Sequence, residues 1–330
     1  MKSIQKLCKL VLALTLALCI TACTQGSAQN SGEGAGTDVN LGSNAGSNDG
    51  QPADQAQPAN AEPKSMNMAV SFFYPSLDVH KDYYGWYTSI YGISETLFRV
   101  GDDLSIQPLL AKSHAVSADG KTWTFELADA RFSNGTAVTA DMIIKNFQRL
   151  AQVNERFAYL SDFTYAADGE KTLKITTPEI YPTMLSDLTS PELGIMDLDG
   201  TKDFDNAPVC TGPFIVKTFD PEGKIVVEKN AAYWNGDVKL DVVNIYYMQD
   251  DETKLNAMQA GDIDGYTSVT AAAKEIYAAD PSTYTLTVIP ATRLQFYVLN
   301  KNTLSDKVRE AINLTVDGNA IAAYLGGTVS

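Results

Sequence analysis

At residue 65 the chain changes character, and that change constrains the fold more than any single motif. Residues 24–64 are dominated by Gly, Ser, Asn, Ala, Gln and Pro, with no aromatic and almost no branched apolar side chains. Such a segment buries too little apolar surface to offset chain entropy, so it reads as a flexible tether with a span of roughly 35 Å in the Gly-rich regime. From Met66 onward the composition is globular, and about 265 residues are ample for one large core or two smaller ones.

Within that part the apolar spacing predicts a mixture of strands and helices. Thr122–Leu127 alternates with period two and reads as a strand after an Asp119-Gly120 turn. Thr139 caps a predicted helix with Met142, Ile143, Phe147 and Leu150 on one face. Further strands are expected at Leu173–Thr176, Ile225–Glu228, Val242–Met248 and Leu294–Leu299, with Ile263–Tyr266 strand-like. Asp251–Ala260 is expected as a helix closed by Gly261. Helices and strands do not alternate strictly, and no internal repeat is visible.

The N-terminus carries Lys2, Lys6 and Lys9 ahead of an apolar run from Leu10 to Ile20, the pattern of a secretory signal. The run is too short to span a bilayer. Its end, Ile20-Thr21-Ala22-Cys23, resembles the bacterial lipobox, which implies cleavage before Cys23 and a lipid on its thiol. Cys8 and Cys19 lie within the removed segment, leaving Cys23 and Cys210, so no internal disulfide is expected. Cys210 is expected as a packed, inert thiol.

Charge and residue inventory exclude several functions. Loss of three lysines and no acid takes the formal charge from −15 to −18, which argues against nucleic acid or anionic lipid as partner. His80 and His114 are the only histidines, and neither has a second His or Cys at ligand spacing, so no protein-held metal and no cofactor is expected. Asp197, Asp199, Asp203 and Asp205 depart from the calcium-loop pattern and read as a solvated loop. No G-x-S-x-G, H-E-x-x-H or Walker pattern is present, and the chain is not read as an enzyme.

A series of motifs then appears in order: Pro108-Leu109-Leu110-Ala111-Lys112-Ser113, Asp119-Gly120-Lys121-Thr122-Trp123-Thr124-Phe125, Arg131-Phe132-Ser133-Asn134-Gly135, Thr211-Gly212-Pro213-Phe214, Tyr233-Trp234-Asn235-Gly236, Gly261-Asp262-Ile263-Asp264 and Leu299-Asn300. Together they resemble the signature of the family 5 extracellular solute-binding proteins of bacterial ABC importers, of nickel, dipeptide and oligopeptide type. The resemblance implies an α/β fold of the type II periplasmic-binding-protein kind, a two-lobed clamp with an extra subdomain in the first lobe. It also implies a permease and an ATPase as partners, a small-molecule ligand, and an extracytoplasmic location at the membrane. Leu77-Asp78-Val79-His80 resembles the family's opening of the first lobe, which gives His80 a structural role. Trp123, Phe125 and Trp234 are expected in the core.

The resemblance also nominates ligand residues. Arg156-Phe157-Ala158-Tyr159-Leu160 is similar to a stretch of nickel-binding members in which the arginine and the aromatic face the cleft, so Arg156 and Tyr159 are candidates. Nickel-type relatives carry an arginine after a later Leu-Pro segment; Ser190-Pro191-Glu192-Leu193-Gly194 has none. Tyr83-Tyr84-Gly85-Trp86-Tyr87 is dense in amphipathic rings suited to a cleft wall, which adds Tyr83, Trp86 and Tyr87, and Arg293 is a further candidate near the hinge. The favoured ligand is a small carboxylate-bearing metal chelate, with a di- or oligopeptide as the alternative. The expected organisation is a signal peptide over 1–22, a lipidated cysteine and linker over 23–64, and a first lobe over 65–300 with a subdomain inserted at about 121–206. Residues 301–330 are expected to begin a second lobe that is largely missing, an end expected to expose the apolar face of the helix from Val308 to Leu314.

Overall fold

The computed structural model describes residues 63–289 and 296–324. Strand β1 (Ser65–Val70) leads to the short helix α1 (Tyr84–Ile90) and a hairpin of β2 (Phe98–Val100) and β3 (Ile106–Pro108). Next come β4 (Ala111–Val116), β5 (Thr122–Leu127), helix α2 (Ala140–Val153), a 3-10 helix over Glu155–Asp162, β6 (Thr164–Asp168), β7 (Thr172–Thr176), α3 (Met184–Asp187) and a 3-10 turn at Pro191–Leu193. The chain continues through β8 (Phe214–Asp220), β9 (Lys224–Lys229), β10 (Val242–Tyr247), α4 (Asp251–Ala260), β11 (Gly265–Tyr266), α5 (Ala271–Ala279), α6 (Asp306–Thr315) and α7 (Gly318–Tyr324).

Two sheets organise these elements. The five-stranded sheet has the order β11-β1-β10-β9-β8, with β1 parallel to both neighbours and β10, β9 and β8 antiparallel. The four-stranded sheet is antiparallel in the order β4-β5-β7-β6. It begins at Ala111.

Local sequence explains the second sheet directly. In β5 the alternation buries Trp123, Phe125 and Leu127, and Phe125 lies opposite His114 of β4 and Leu173 of β7. Thr139 caps α2 by accepting from the Met142 N–H at 3.4 Å, and Ile143, Phe147 and Leu150 pack into the same core. Side chains of this size each contribute about 1.5–3 kcal/mol when fully buried. The buried Asn146 ties α2 to the backbone at Met196: its amide donates to the Met196 carbonyl at 2.8 Å and its Oδ1 accepts from the Met196 N–H at 2.9 Å.

Most expected elements match to within a residue or two, and α4 ends at Gly261 in the left-handed conformation. Three expectations need correction. The strand expected at Leu294–Leu299 falls partly outside the described residues, and Phe296–Asn300 joins no ladder, with Phe296, Tyr297 and Val298 exposed. A strand exists only by pairing, and among the described residues none stands beside it. The Ile263–Tyr266 strand shrinks to Gly265–Tyr266. The aspartate cluster is not simply solvated. Asp197 is buried and accepts from the Asn134 amide at 2.8 Å and the Gly200 N–H at 2.9 Å, while Asp205 accepts from Ser76 Oγ at 2.6 Å and Lys81 Nζ at 2.8 Å. These acids close a loop and latch it to the segment before α1. Helix α6 buries no side chain, and Val308 and Leu314 on it are exposed, as expected.

Candidate functional site

One polar side chain assembles the candidate site. Asn154 follows the last residue of α2; its Oδ1 accepts from the Arg156 N–H at 3.2 Å and so starts the 3-10 helix. Its amide donates to the carbonyls of His80 at 3.1 Å and Asp82 at 2.9 Å. The chain just before α1 is thereby held against the start of the 3-10 helix, and the Arg156 guanidinium lies over the Tyr83 ring, 4.1 Å from its centroid. Such a cation–π contact is worth about 0.5–1 kcal/mol at an exposed site.

A second partner fixes the guanidinium from behind. Arg156 Nη1 donates to Glu192 Oε1 at 2.8 Å, and Ser190 Oγ donates to Glu192 Oε2, also at 2.8 Å. The Glu192 side chain is fully buried, whereas that of Arg156 is 46% exposed. Glu192 reaches this position because α1 packs directly on the Pro191–Leu193 turn, and Gly85 permits that approach. A Cβ at Gly85 would stand 2.7 Å from the Pro191 carbonyl oxygen, inside any ordinary contact distance.

Beyond Trp86, a cleft of about 750 Å³ opens, lined among others by Ser190, Pro191, Glu95, Arg99 and Tyr233. Glu95 is buried in its wall and accepts from Tyr233 Oη at 2.5 Å and Trp234 Nε1 at 2.8 Å. Burial pushes the Glu95 carboxyl up, opposed by these hydrogen bonds. Its oxygens are therefore committed to the fold, and the cleft offers hydroxyls, ring faces, the Arg99 guanidinium and the Asp187 carboxylate. Trp234 is half-buried rather than fully internal, packing on the four-stranded core while its indole N–H holds Glu95.

The structure brings Arg156 onto Tyr83, while Trp86 lines the cleft of about 750 Å³, whose lining includes neither Arg156 nor Tyr83. Tyr83 is the residue that precedes α1 and Trp86 lies within it, and both rings are about half exposed. Tyr87 turns the other way, meeting Tyr74 edge-on at 4.4 Å between centroids within the core of the five-stranded sheet, and burial pushes its hydroxyl up to about 12. Tyr159 packs in an aromatic cluster with Phe163 and Tyr181, where burial raises its hydroxyl pKa. That cluster lines a separate pocket of about 320 Å³. Arg293 and Cys23 fall outside the described residues. Sequence reasoning passed over Glu192, Asn154 and Glu95 as site residues. Asn154 carried a recognisable signal, an Asn placed to cap the turn after a helix; Glu192 carried none, since its partner is remote in sequence.

Behind the site, Asp78 and Arg149 form a buried fork, with Nη1 to Oδ1 at 2.9 Å and Nη2 to Oδ2 at 2.6 Å. Arg149 also donates to His80 Nδ1 at 2.9 Å, and His80 Nε2 lies 3.2 Å from the Gly194 carbonyl. A carbonyl only accepts, so Nε2 carries the proton and Nδ1 receives from Arg149. Burial, then the Arg149 charge, lower the His80 pKa to about 4. Cys210 packs among Ile93, Met196 and Val227 in the neighbouring core, where burial pushes its thiol pKa up. Among the described residues no three His, Cys, Asp or Glu side chains converge as a metal site.

The fold is the mixed α/β, type II periplasmic-binding-protein-like architecture. A solved nickel ABC transporter protein from Bacillus halodurans superposes with a TM-score of 0.62 at 27% identity, covering 79% of this chain and 55% of that one. The sequence matches the bacterial extracellular solute-binding proteins, family 5 Middle, over residues 105–330, and the chain belongs to that family. It is 28% identical over 237 residues to the nickel-binding protein NikA of Staphylococcus aureus, covering 71% of this chain and 48% of that protein. The dipeptide-binding protein DppE of Bacillus subtilis is 26% identical over 263 residues, with the same coverages. The chain thus spans about half the length of these curated relatives.

Proposed function

We propose that this chain is the substrate-binding component of an ABC importer, capturing a small metal chelate and presenting it to a permease and its ATPase subunits, without catalysing a reaction. The observation that carries the reading is the half-exposed Arg156 guanidinium, 4.1 Å from the centroid of the Tyr83 ring, a donor array suited to a ligand carboxylate. Similarity to nickel-binding proteins supports the chelate class. On this reading residues 65–300 form the first lobe of the clamp, the four-stranded unit is its inserted subdomain, and residues 301–330 open the second lobe. Arg156→Ala is expected to weaken binding of the nickel(II) bis-histidine complex by about 1.5–3 kcal/mol in calorimetric titration. Unchanged affinity removes Arg156 from the site.

A di- or oligopeptide ligand is the second reading, supported by the similarity to DppE. Mass spectrometry of material co-purifying from rich medium separates the two, since a chelate carries its metal isotope pattern and a peptide does not. The protein on this proposal acts outside the cytoplasm, held to the membrane by a lipid on Cys23 with residues 24–64 as its tether. Cys23→Ser is expected to move the protein from the membrane fraction to the soluble fraction without changing its fold. Retention of the variant with the membrane would exclude the anchor.

A further inference from the structure

We infer that Glu192 is the residue that sets the charge of ligand this wall accepts: by neutralising Arg156 in a buried ion pair, it favours a ligand of low net charge over a polyanion. The inference rests on the reading of Arg156 as a ligand contact. Both Glu192 oxygens are occupied, one by Arg156 and one by Ser190, and its side chain has no exposed surface. Glu192 therefore does not touch a ligand. It acts through Arg156 as a positioning residue, and it does so in two ways.

The first is geometric. Nη1 is engaged by Glu192 and the guanidinium carbon lies 4.1 Å from the Tyr83 ring centroid, so the group is held at two points. The second is electrostatic. A half-exposed guanidinium alone attracts each added negative charge, but a buried carboxylate 2.8 Å from it cancels most of that field at ligand distance. The result is a set of N–H donors with little net charge. Such a group accepts one carboxylate of a neutral complex, as in an amino-acid complex of a divalent cation. It gives little to a ligand that must also desolvate further charges. The formal net charge of −15 on the chain works in the same direction.

The test uses the full chain and three probes: the neutral nickel(II) bis-histidine complex, the dianionic nickel(II)–EDTA complex, and metal-free citrate, titrated by calorimetry. The wild-type chain is expected to prefer the neutral complex over nickel–EDTA by about tenfold or more. Glu192→Gln keeps the shape and an acceptor for Arg156 but removes the charge. It is expected to gain about tenfold or more for nickel–EDTA and for citrate, with little change for the neutral complex. The double variant Glu192→Gln/Arg156→Gln is expected to lose that gain, which separates a charge effect from a general loosening of the fold.

If the wild-type chain binds nickel–EDTA as tightly as the neutral complex, or Glu192→Gln leaves the ratio unchanged, the charge inference falls while the chelate reading stands. If neither chelate binds but citrate binds Glu192→Gln and not wild type, the chelate reading falls and the charge inference stands. Absence of all binding in both chains overturns both.

Discussion

Asp78→Ala is expected to destabilise the fold by about 3–5 kcal/mol, because it leaves the Arg149 guanidinium in the interior without its counter-charge. Asp78 has no exposed side-chain surface, while Arg149 is 21% exposed, so the guanidinium has only a narrow route to water once its partner is gone. The loss extends beyond one pair. Arg149 also lies 4.5 Å from the centroid of the Phe204 ring and donates to His80, so a displaced guanidinium disturbs the loop latched by Asp205 as well. Urea unfolding measures the effect. The double variant Asp78→Ala/Arg149→Met is expected to recover part of the loss, since it removes the stranded charge. A double variant no more stable than Asp78→Ala would show that lost packing, not an unpaired cation, is responsible.

Acidification from pH 6.5 to about 4 is expected to remove up to about 3 kcal/mol of stability through His80 alone. The folded-state pKa is about 4 against an ordinary value of 6.5, so within that window the unfolded chain binds a proton that the folded chain refuses. Stability from this group is complete above 6.5 and falls as the pH drops toward 4. The cause is burial first and the Arg149 charge second: a protonated ring would set a cation against a guanidinium 2.9 Å away and would lose the acceptor at Nδ1. Unfolding midpoints across this range, compared with those of His80→Gln, isolate the contribution from that of the carboxylates. The wild-type midpoint should fall more steeply than that of the variant, and parallel slopes would exclude His80 as the source.

Both expectations concern a cluster whose members the sequence marks only in part. Leu77-Asp78-Val79-His80 stood out by resemblance and carried a structural role for His80, and the structure places it there. Arg149 had no such mark: it lies on α2 among residues chosen for helix spacing, and nothing local says that its side chain crosses to Asp78, 71 residues earlier.

What the sequence determined by itself is whatever depends on neighbours along the chain. Alternation in Thr122–Leu127, the Thr139 cap and the Gly261 stop act over a few residues, and each is legible because backbone geometry is local. The tertiary structure alone decided which of those side chains meet. Tyr83, Trp86 and Tyr87 are equivalent by type, and only the packing of α1 against Tyr74 and the Pro191–Leu193 turn sends Tyr87 inward and leaves the other two rings out. Arg156 and Tyr159 share one motif, and the three-residue period of the 3-10 helix puts both on one side of it, yet Arg156 packs on Tyr83 and Tyr159 on Phe163 and Tyr181, because each takes the rings that the folded chain sets within its reach. Glu192 became the counter-ion of Arg156 across 36 residues because Asn154 and Gly85 bring three separate segments into contact. A buried charge takes as its partner whatever opposite charge the folded chain places within hydrogen-bond reach, and that reach is a property of the packed molecule.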